Sequence, residues 1–148
     1  MSLKARLTEA MKDAMRAQDK DRLGVIRMAL AAFKQIEVDE RVELDDVRCL
    51  SVLEKLVKQR RESATAFEQG GRPELAAREQ AEISVLQTFL PTPLSADELG
   101  SLISAAIAEA GATSARDMGK VMNLLRPMVA GRADVGELSQ QVKARLAS

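Results

Sequence analysis

Few residues in this chain could do chemistry, and most reaction classes lack an essential member. There is no His, no Tyr and no Trp, and the one cysteine is Cys49. Ser-His-Asp and Cys-His arrangements cannot be assembled, and the commonest general base is missing. A single thiol without imidazole also excludes a zinc site of ordinary type. Neither a GxGxxG nor a GxxxxGKS/T run occurs, so no dinucleotide or P-loop nucleotide site is indicated. A Ser-Lys pair stays open on composition, but no glycine-rich flank accompanies one. We therefore expect no catalytic residue, no metal and no cofactor.

What remains is patterned charge. The acidic run Asp39-Glu40, Glu43, Asp45-Asp46 offers carboxylate oxygens that suit Mg²⁺ or Ca²⁺, but it lacks the alternating spacing and turn glycine of a calcium loop. The preferred reading is a solvated interhelical loop whose acids favour the next helix N-terminus. Lys55, Lys58, Arg60 and Arg61 form the densest basic cluster. Either they make a phosphate-binding stripe, or they pair along the helix, since Glu54, Lys58 and Glu62 stand four apart. Arg60 is the odd member, because it falls on an apolar seam between Val57 and Ala64. Glu79 likewise interrupts the seam between Leu75 and Ile83. An antiparallel hairpin turning near Gly70-Gly71 brings Arg60 opposite Glu79 or Glu82, so a partly buried structural ion pair is expected there.

A second basic group lies toward the C-terminus. Arg116 and Lys120 are four apart and share a face if both are helical. Gly119 between them is expected mid-helix, where glycine costs ~1 kcal/mol against alanine. Such a glycine permits close approach of another backbone, either a neighbouring helix or a phosphodiester chain. Arg132 stands beside a helix N-terminus, a spot of positive potential. With Arg126, these residues form the candidate anion-contacting set: Arg116, Gly119, Lys120, Arg126 and Arg132.

The elements that must position them are helices. Ala, Leu, Glu, Lys, Arg and Gln dominate, and runs of β-branched or aromatic residues are absent. Leu3, Leu7 and Met11 recur at helical spacing, and Leu23, Ile26, Leu30 and Phe33 define a second helix that fades into the acidic stretch from Glu37. Asp45 is an N-cap for a third, with Leu44 placed to staple onto Cys49 and a seam of Leu50, Leu53, Val57, Ala64 and Phe67. Gly70-Gly71 ends it. Pro73 opens a fourth, carrying Leu75, Ile83, Leu86 and Leu90.

Pro91-Thr92-Pro93 admits no helix through it and marks a domain boundary. Beyond it, Ser95 with Glu98 forms a capping box for a fifth helix ending at Gly111. Ser114 with Asp117 repeats the pattern for a sixth, stopped near Pro127. Asp134 with Glu137 opens a seventh, whose buried face is Val135, Leu138, Val142 and Leu146. The expected fold is all-α. A four-helix N-terminal domain with a long antiparallel hairpin spans 1–93, and a three-helix bundle spans 94–148.

Lys and Arg number 22 and Asp and Glu number 22, so the net charge is zero and no bulk nucleic-acid coater is indicated. A lone thiol suits a reducing compartment, the first residues form no signal peptide, and no apolar run is long enough to cross a bilayer. A cytoplasmic protein without membrane contact is expected.

Five segments carry a family resemblance. They are Lys58-Gln59-Arg60-Arg61-Glu62-Ser63, Gly71-Arg72-Pro73-Glu74-Leu75-Ala76, Phe89-Leu90-Pro91, Asp117-Met118-Gly119-Lys120-Val121-Met122 and Gly131-Arg132-Ala133-Asp134. In this order over the whole chain, they resemble the YqeY-like proteins. From about Ser95 the chain is similar to the tail domain of the B subunit of tRNA-dependent amidotransferase (GatB), which amidates Glu-tRNA or Asp-tRNA with glutamine as nitrogen donor. The resemblance implies an all-helical domain followed by a small three-helix tail that reaches the outer corner of tRNA. It also implies a carbon–nitrogen ligase label, although neither the ATP- and metal-dependent cradle nor the amidase Ser-Ser-Lys machinery has a counterpart here.

Two functions are expected in consequence. The first is a non-catalytic accessory module contacting the tRNA elbow through Arg116, Gly119, Lys120, Arg126 and Arg132. The second is an adaptor docking on amidotransferase subunits, a synthetase or another helical partner through adaptable apolar surface, with Met118, Met122 and Met128 as the residues that decide it.

Overall fold

The computed structural model describes residues 1–147. Among them are seven α-helices, one 3-10 turn and no strand. The chain divides into two compact units, Met1–Pro91 and a second from Thr92 onward. This lies two residues ahead of the boundary drawn after Pro93. The cause is hydrogen bonding: Leu94 N–H donates to the Arg132 carbonyl at 2.9 Å, and the Thr92 carbonyl accepts from Arg132 Nε at 2.9 Å. Residues 92–94 are thereby tied into the second unit.

The first unit contains α1 (Leu3–Arg16), α2 (Lys20–Glu40), α3 (Asp46–Gln69) and α4 (Pro73–Gln87). Each start has a local reason. Ser2 Oγ accepts from Ala5 N–H, Asp19 from Arg22 N–H and Asp45 from Arg48 N–H, which satisfies amides that helix geometry leaves without partners. α3 and α4 form a hairpin across Gly70-Gly71. Gly71 has φ +72, a conformation that penalises a Cβ, and a Cβ on Gly70 would stand 3.2 Å from the Ala66 carbonyl. Pro73, without an N–H, occupies the first turn of α4. The core gathers Leu7, Ile26, Phe33, Leu53, Leu86 and Phe89, with Leu44 and Cys49 buried in the same cluster. Burying each large side chain contributes roughly 1.5–3 kcal/mol.

Two boundaries differ from expectation. α2 does not fade at Glu37 but continues to Glu40, where Arg41 adopts the left-handed conformation, so only 41–45 is loop. α4 stops at Gln87, and Thr88, Phe89 and Leu90 each donate three residues back, the tight turn that often closes a helix. Phe89 still reaches the core, with the Arg22 guanidinium 5.6 Å from its ring centre.

The second unit contains α5 (Ala96–Ala110), a 3-10 turn (Ala115–Asp117), α6 (Met118–Val129) and α7 (Val135–Ala147). Its core is Leu99, Ile103, Val121, Leu125, Val129, Leu138 and Val142 among others. The Ser95–Glu98 capping box forms reciprocally, and Gly111 ends α5 at φ 62. Gly100 leaves room for α7: Arg145 Nη1 donates to the Gly100 carbonyl and to Ser104 Oγ, and a Cβ on Gly100 would stand 3.1 Å from Arg145 Nη2.

Three details correct the sequence reading of this unit. The sixth helix begins at Met118, after the 3-10 turn. It runs through Pro127 to Val129, because Pro127 removes only a bond to the carbonyl of exposed Asn123, near the helix end. Val135, assigned to the buried face, is 45% exposed as the first residue of α7.

Candidate nucleic-acid interface

The entry to α6 is built around Asp117. Its Oδ2 accepts from Thr113 N–H at 3.0 Å and from Ser114 N–H at 3.4 Å. The Thr113 bond is the main cause holding this carboxyl below its ordinary range, with help from the Ser114 amide and the Lys120 ammonium, while burial works the other way. Asp117 holds the N-cap position of α6 but sends no side-chain hydrogen bond into the helix. The first turn of α6 is therefore left without a side-chain cap, at the positive end of its dipole.

Arg116 lies in the 3-10 turn and not in α6, so its sharing of a face with Lys120 does not follow from helical spacing. Both are exposed and form no ion pair among the described residues. Gly119 is the second residue of α6 and not a mid-helix position. It is exposed, and a Cβ placed there meets nothing within 4 Å. No neighbouring helix backbone packs on it. Along α6, the exposed positions are Gly119, Lys120, Asn123, Arg126, Pro127 and Met128, so a polar and basic stripe faces outward. Arg126 Nη1 donates to Asn123 Oδ1 at 3.1 Å. Sequence reasoning missed Asn123, although its position three residues from both Lys120 and Arg126 was the available signal.

Arg132 has different partners. Its Nε bonds the Thr92 carbonyl, and Nη2 lies 3.9 Å from Glu98 Oε2, with the side chain 36% exposed. The Glu98 carboxyl is held below its usual range, first by the Ser95 amide and then by the Ser95 hydroxyl, with Arg132 adding a smaller share. This second unit contains no aromatic residue on which a base could stack.

The methionines form no continuous outer patch. Met122 is buried, Met118 packs against the core, and Met128 is 45% exposed. In the first unit, Arg60 Nε meets Glu82 Oε2 at 3.1 Å. Arg60 Nη1 donates to the Leu56 carbonyl, and Nη2 contacts Met28 Sδ. Glu79 is partly buried and forms no ion pair among the described residues. Lys55, Lys58 and Arg61 stay exposed on α3. The acidic run is engaged locally. Glu37 takes Lys4 Nζ at 2.5 Å and Leu44 N–H at 2.9 Å, Glu40 takes Arg48 in two bonds, and Asp46 accepts from Leu3 N–H. Cys49 is fully buried, and burial raises its thiol pKa.

The family model described as Yqey-like protein matches residues 4–146. The chain belongs to the YqeY-like family. It is 37% identical over 112 residues to "Altered inheritance of mitochondria protein 41, mitochondrial" of Eremothecium gossypii, covering 74% of this chain and 61% of that protein. The protein of the same name from Vanderwaltozyma polyspora is 31% identical over 85 residues, covering 57% and 46%. That from Pyrenophora tritici-repentis is 29% identical over 131 residues, covering 86% and 71%. The match spans about half to three-fifths of the first two relatives. No helix among the described residues is long and apolar enough to cross a membrane.

Proposed function

We propose that this protein is a non-catalytic helical accessory module that binds tRNA through its sugar–phosphate backbone, working with tRNA-dependent amidotransferase. One observation supports the reading: the first turn of α6 has no side-chain cap and is bare at Gly119, and exposed Arg116 and Lys120 flank it without ion pairs among the described residues. Backbone amides at a helix start, together with exposed cations, suit phosphate oxygens, and the missing Cβ admits a polynucleotide chain closely. Arg126 and Asn123 extend the contact along the helix. Arg132 contributes from the far loop with the part of its guanidinium left exposed. Without aromatics, binding reads shape and charge, so affinity is modest and falls steeply with salt. A reducing, cytoplasm-like compartment fits the buried Cys49. The relatives' names place those proteins in mitochondria.

The test is binding of deacylated tRNA at low and moderate salt, comparing wild type with the triple variant Arg116→Ala, Lys120→Ala, Arg126→Ala. Each lost phosphate contact should lower the slope of log affinity against log salt by about 1. Equal binding by the two proteins, or no binding at low salt, overturns the assignment. The triple variant omits Arg132, because that side chain also holds Thr92.

A further inference from the structure

One face of α2 is neither buried in the core of the first unit nor used in the RNA reading. Lys20, Gly24, Arg27, Ala31, Lys34 and Val38 are all exposed. They recur at alternating intervals of four and three residues, so they lie within an arc of about 80° along one side of the helix. The cations stand seven residues apart, about 10.5 Å along the axis, and the positions between them carry only the small Gly24 and Ala31. Lys20, Arg27 and Lys34 form no ion pair and no side-chain hydrogen bond among the described residues. The Glu37 carboxyl, held down chiefly by Lys4, also feels the charge of Lys34, but its bonds go to Lys4 and to the Leu44 amide. Glycine is disfavoured inside a helix, and a Cβ added at Gly24 would meet nothing within 4 Å, so no packing within the chain calls for glycine there.

This pattern selects the occupant. Two helices packed side by side keep register over a seven-residue repeat, and each large side chain of one enters a hollow among four residues of the other. Gly24 and Ala31 leave such hollows, and the three cations match carboxylates that recur every seven residues on a facing helix. We propose that this face of α2 docks an acidic amphipathic helix of another protein, whose Leu or Met side chains fill the hollows at Gly24 and Ala31 while its Asp or Glu side chains meet Lys20, Arg27 and Lys34. The same apolar side chains cover Val38, which is 60% exposed and which a sugar–phosphate chain gains nothing by covering. Asp21 and Asp39 stand beside the strip near its two ends and pair with no cation among the described residues. They confine it to about five helical turns and repel a polyanion that runs further. A symmetric contact with a second copy would set cation against cation, because such an interface pairs a patch with itself. Docking on α2 is independent of what α6 binds.

The test uses the full chain, labelled with ¹⁵N, and a synthetic helical peptide of about 21 residues, three heptads, with Leu and Glu on its contact face and Ala and Gln elsewhere. Amide shifts should map to 20–38. The pair Arg27→Gln, Lys34→Gln should weaken binding about fivefold and reduce its salt dependence. Ala31→Gln should weaken it too, by filling a hollow without changing the charge. Gln is a good helix former and all three positions are exposed, so circular dichroism should show both variants folded; if the pair does not fold, Arg27→Gln alone serves in its place. Several results would overturn the proposal: no shifts at low salt, shifts confined to residues outside 20–38, unchanged affinity in the variants, or equal binding of a scrambled peptide or of one with Lys in place of Glu. Shifts at 20–38 produced by tRNA, and lost in the Arg27→Gln, Lys34→Gln pair, would assign the face to a polynucleotide and overturn it. Self-association in sedimentation that Arg27→Glu abolishes would assign it to a second copy and overturn it equally.

Discussion

Arg60 and Glu82 meet across the α3–α4 hairpin with Nε 3.1 Å from Oε2, the Arg60 side chain being 14% exposed and that of Glu82 32%. A fully buried pair loses roughly 3–5 kcal/mol when one partner goes, and an exposed pair under about 1. This one stands between, so Arg60→Ala should destabilise the first unit by about 1–3 kcal/mol, including the lost bond to the Leu56 carbonyl. Urea unfolding followed by circular dichroism measures it. A loss below about 0.5 kcal/mol would show that solvent already screens the pair.

Acidification should weaken the first unit through Glu37. Its carboxyl is held below the usual range, chiefly by the Lys4 ammonium and then by the Leu44 amide. A carboxyl whose folded pKa is depressed contributes stability above its unfolded pKa of about 4.3, and this is lost as pH falls through the folded value. Lys4, raised mainly by its bond to Glu37, contributes below the ordinary lysine pKa and loses that contribution in strong alkali. Thermal melts between about pH 3 and 6 should show a steeper acid limb for wild type than for Glu37→Gln. Parallel limbs would contradict the linkage.

Two glycines should respond in opposite directions. Gly24 lies inside α2 with nothing within 4 Å of an added Cβ, so Gly24→Ala should stabilise by roughly 0.5–1 kcal/mol. Gly71 has φ +72, and Gly71→Ala should destabilise by about 1 kcal/mol. Melting temperatures moving the same way in both variants would refute the assignment.

Gly119 separates folding from binding. The space around it is open, so Gly119→Ala should leave stability unchanged or slightly raised. If a polynucleotide backbone approaches α6 there, Gly119→Leu should weaken tRNA binding while the melting temperature holds. An unchanged affinity would remove Gly119 from the interface.

Where a helix end rests on local side chains, the sequence displays it: Asp45 accepts from Arg48 N–H, and Ser95 and Glu98 bond reciprocally. The expectation failed where a competing local geometry intervened. Ser114 and Asp117 do pair, the Ser114 amide donating to the Asp117 carboxylate, but the turn they open is 3-10, which leaves Arg116 outside α6 and puts Gly119 in its first turn. Val135 fits an apolar period yet precedes the point where α7 packs inward. The Arg132–Thr92 bond left no trace to read. It joins residues 40 apart, and its acceptor is a backbone carbonyl, which every residue type carries.

That bond also decides how the second unit would respond to tension. Its amino-terminal lead is fastened at Thr92 and Leu94 to the loop between α6 and α7. Pulling from that side must break these two hydrogen bonds before Ser95 can release the first turn of α5. The helix cannot be peeled residue by residue from its start. Arg132→Ala removes the Thr92 bond but keeps the one from Leu94 to the backbone carbonyl of residue 132, so rupture should come at a lower force with the buried residues of α5 left in place.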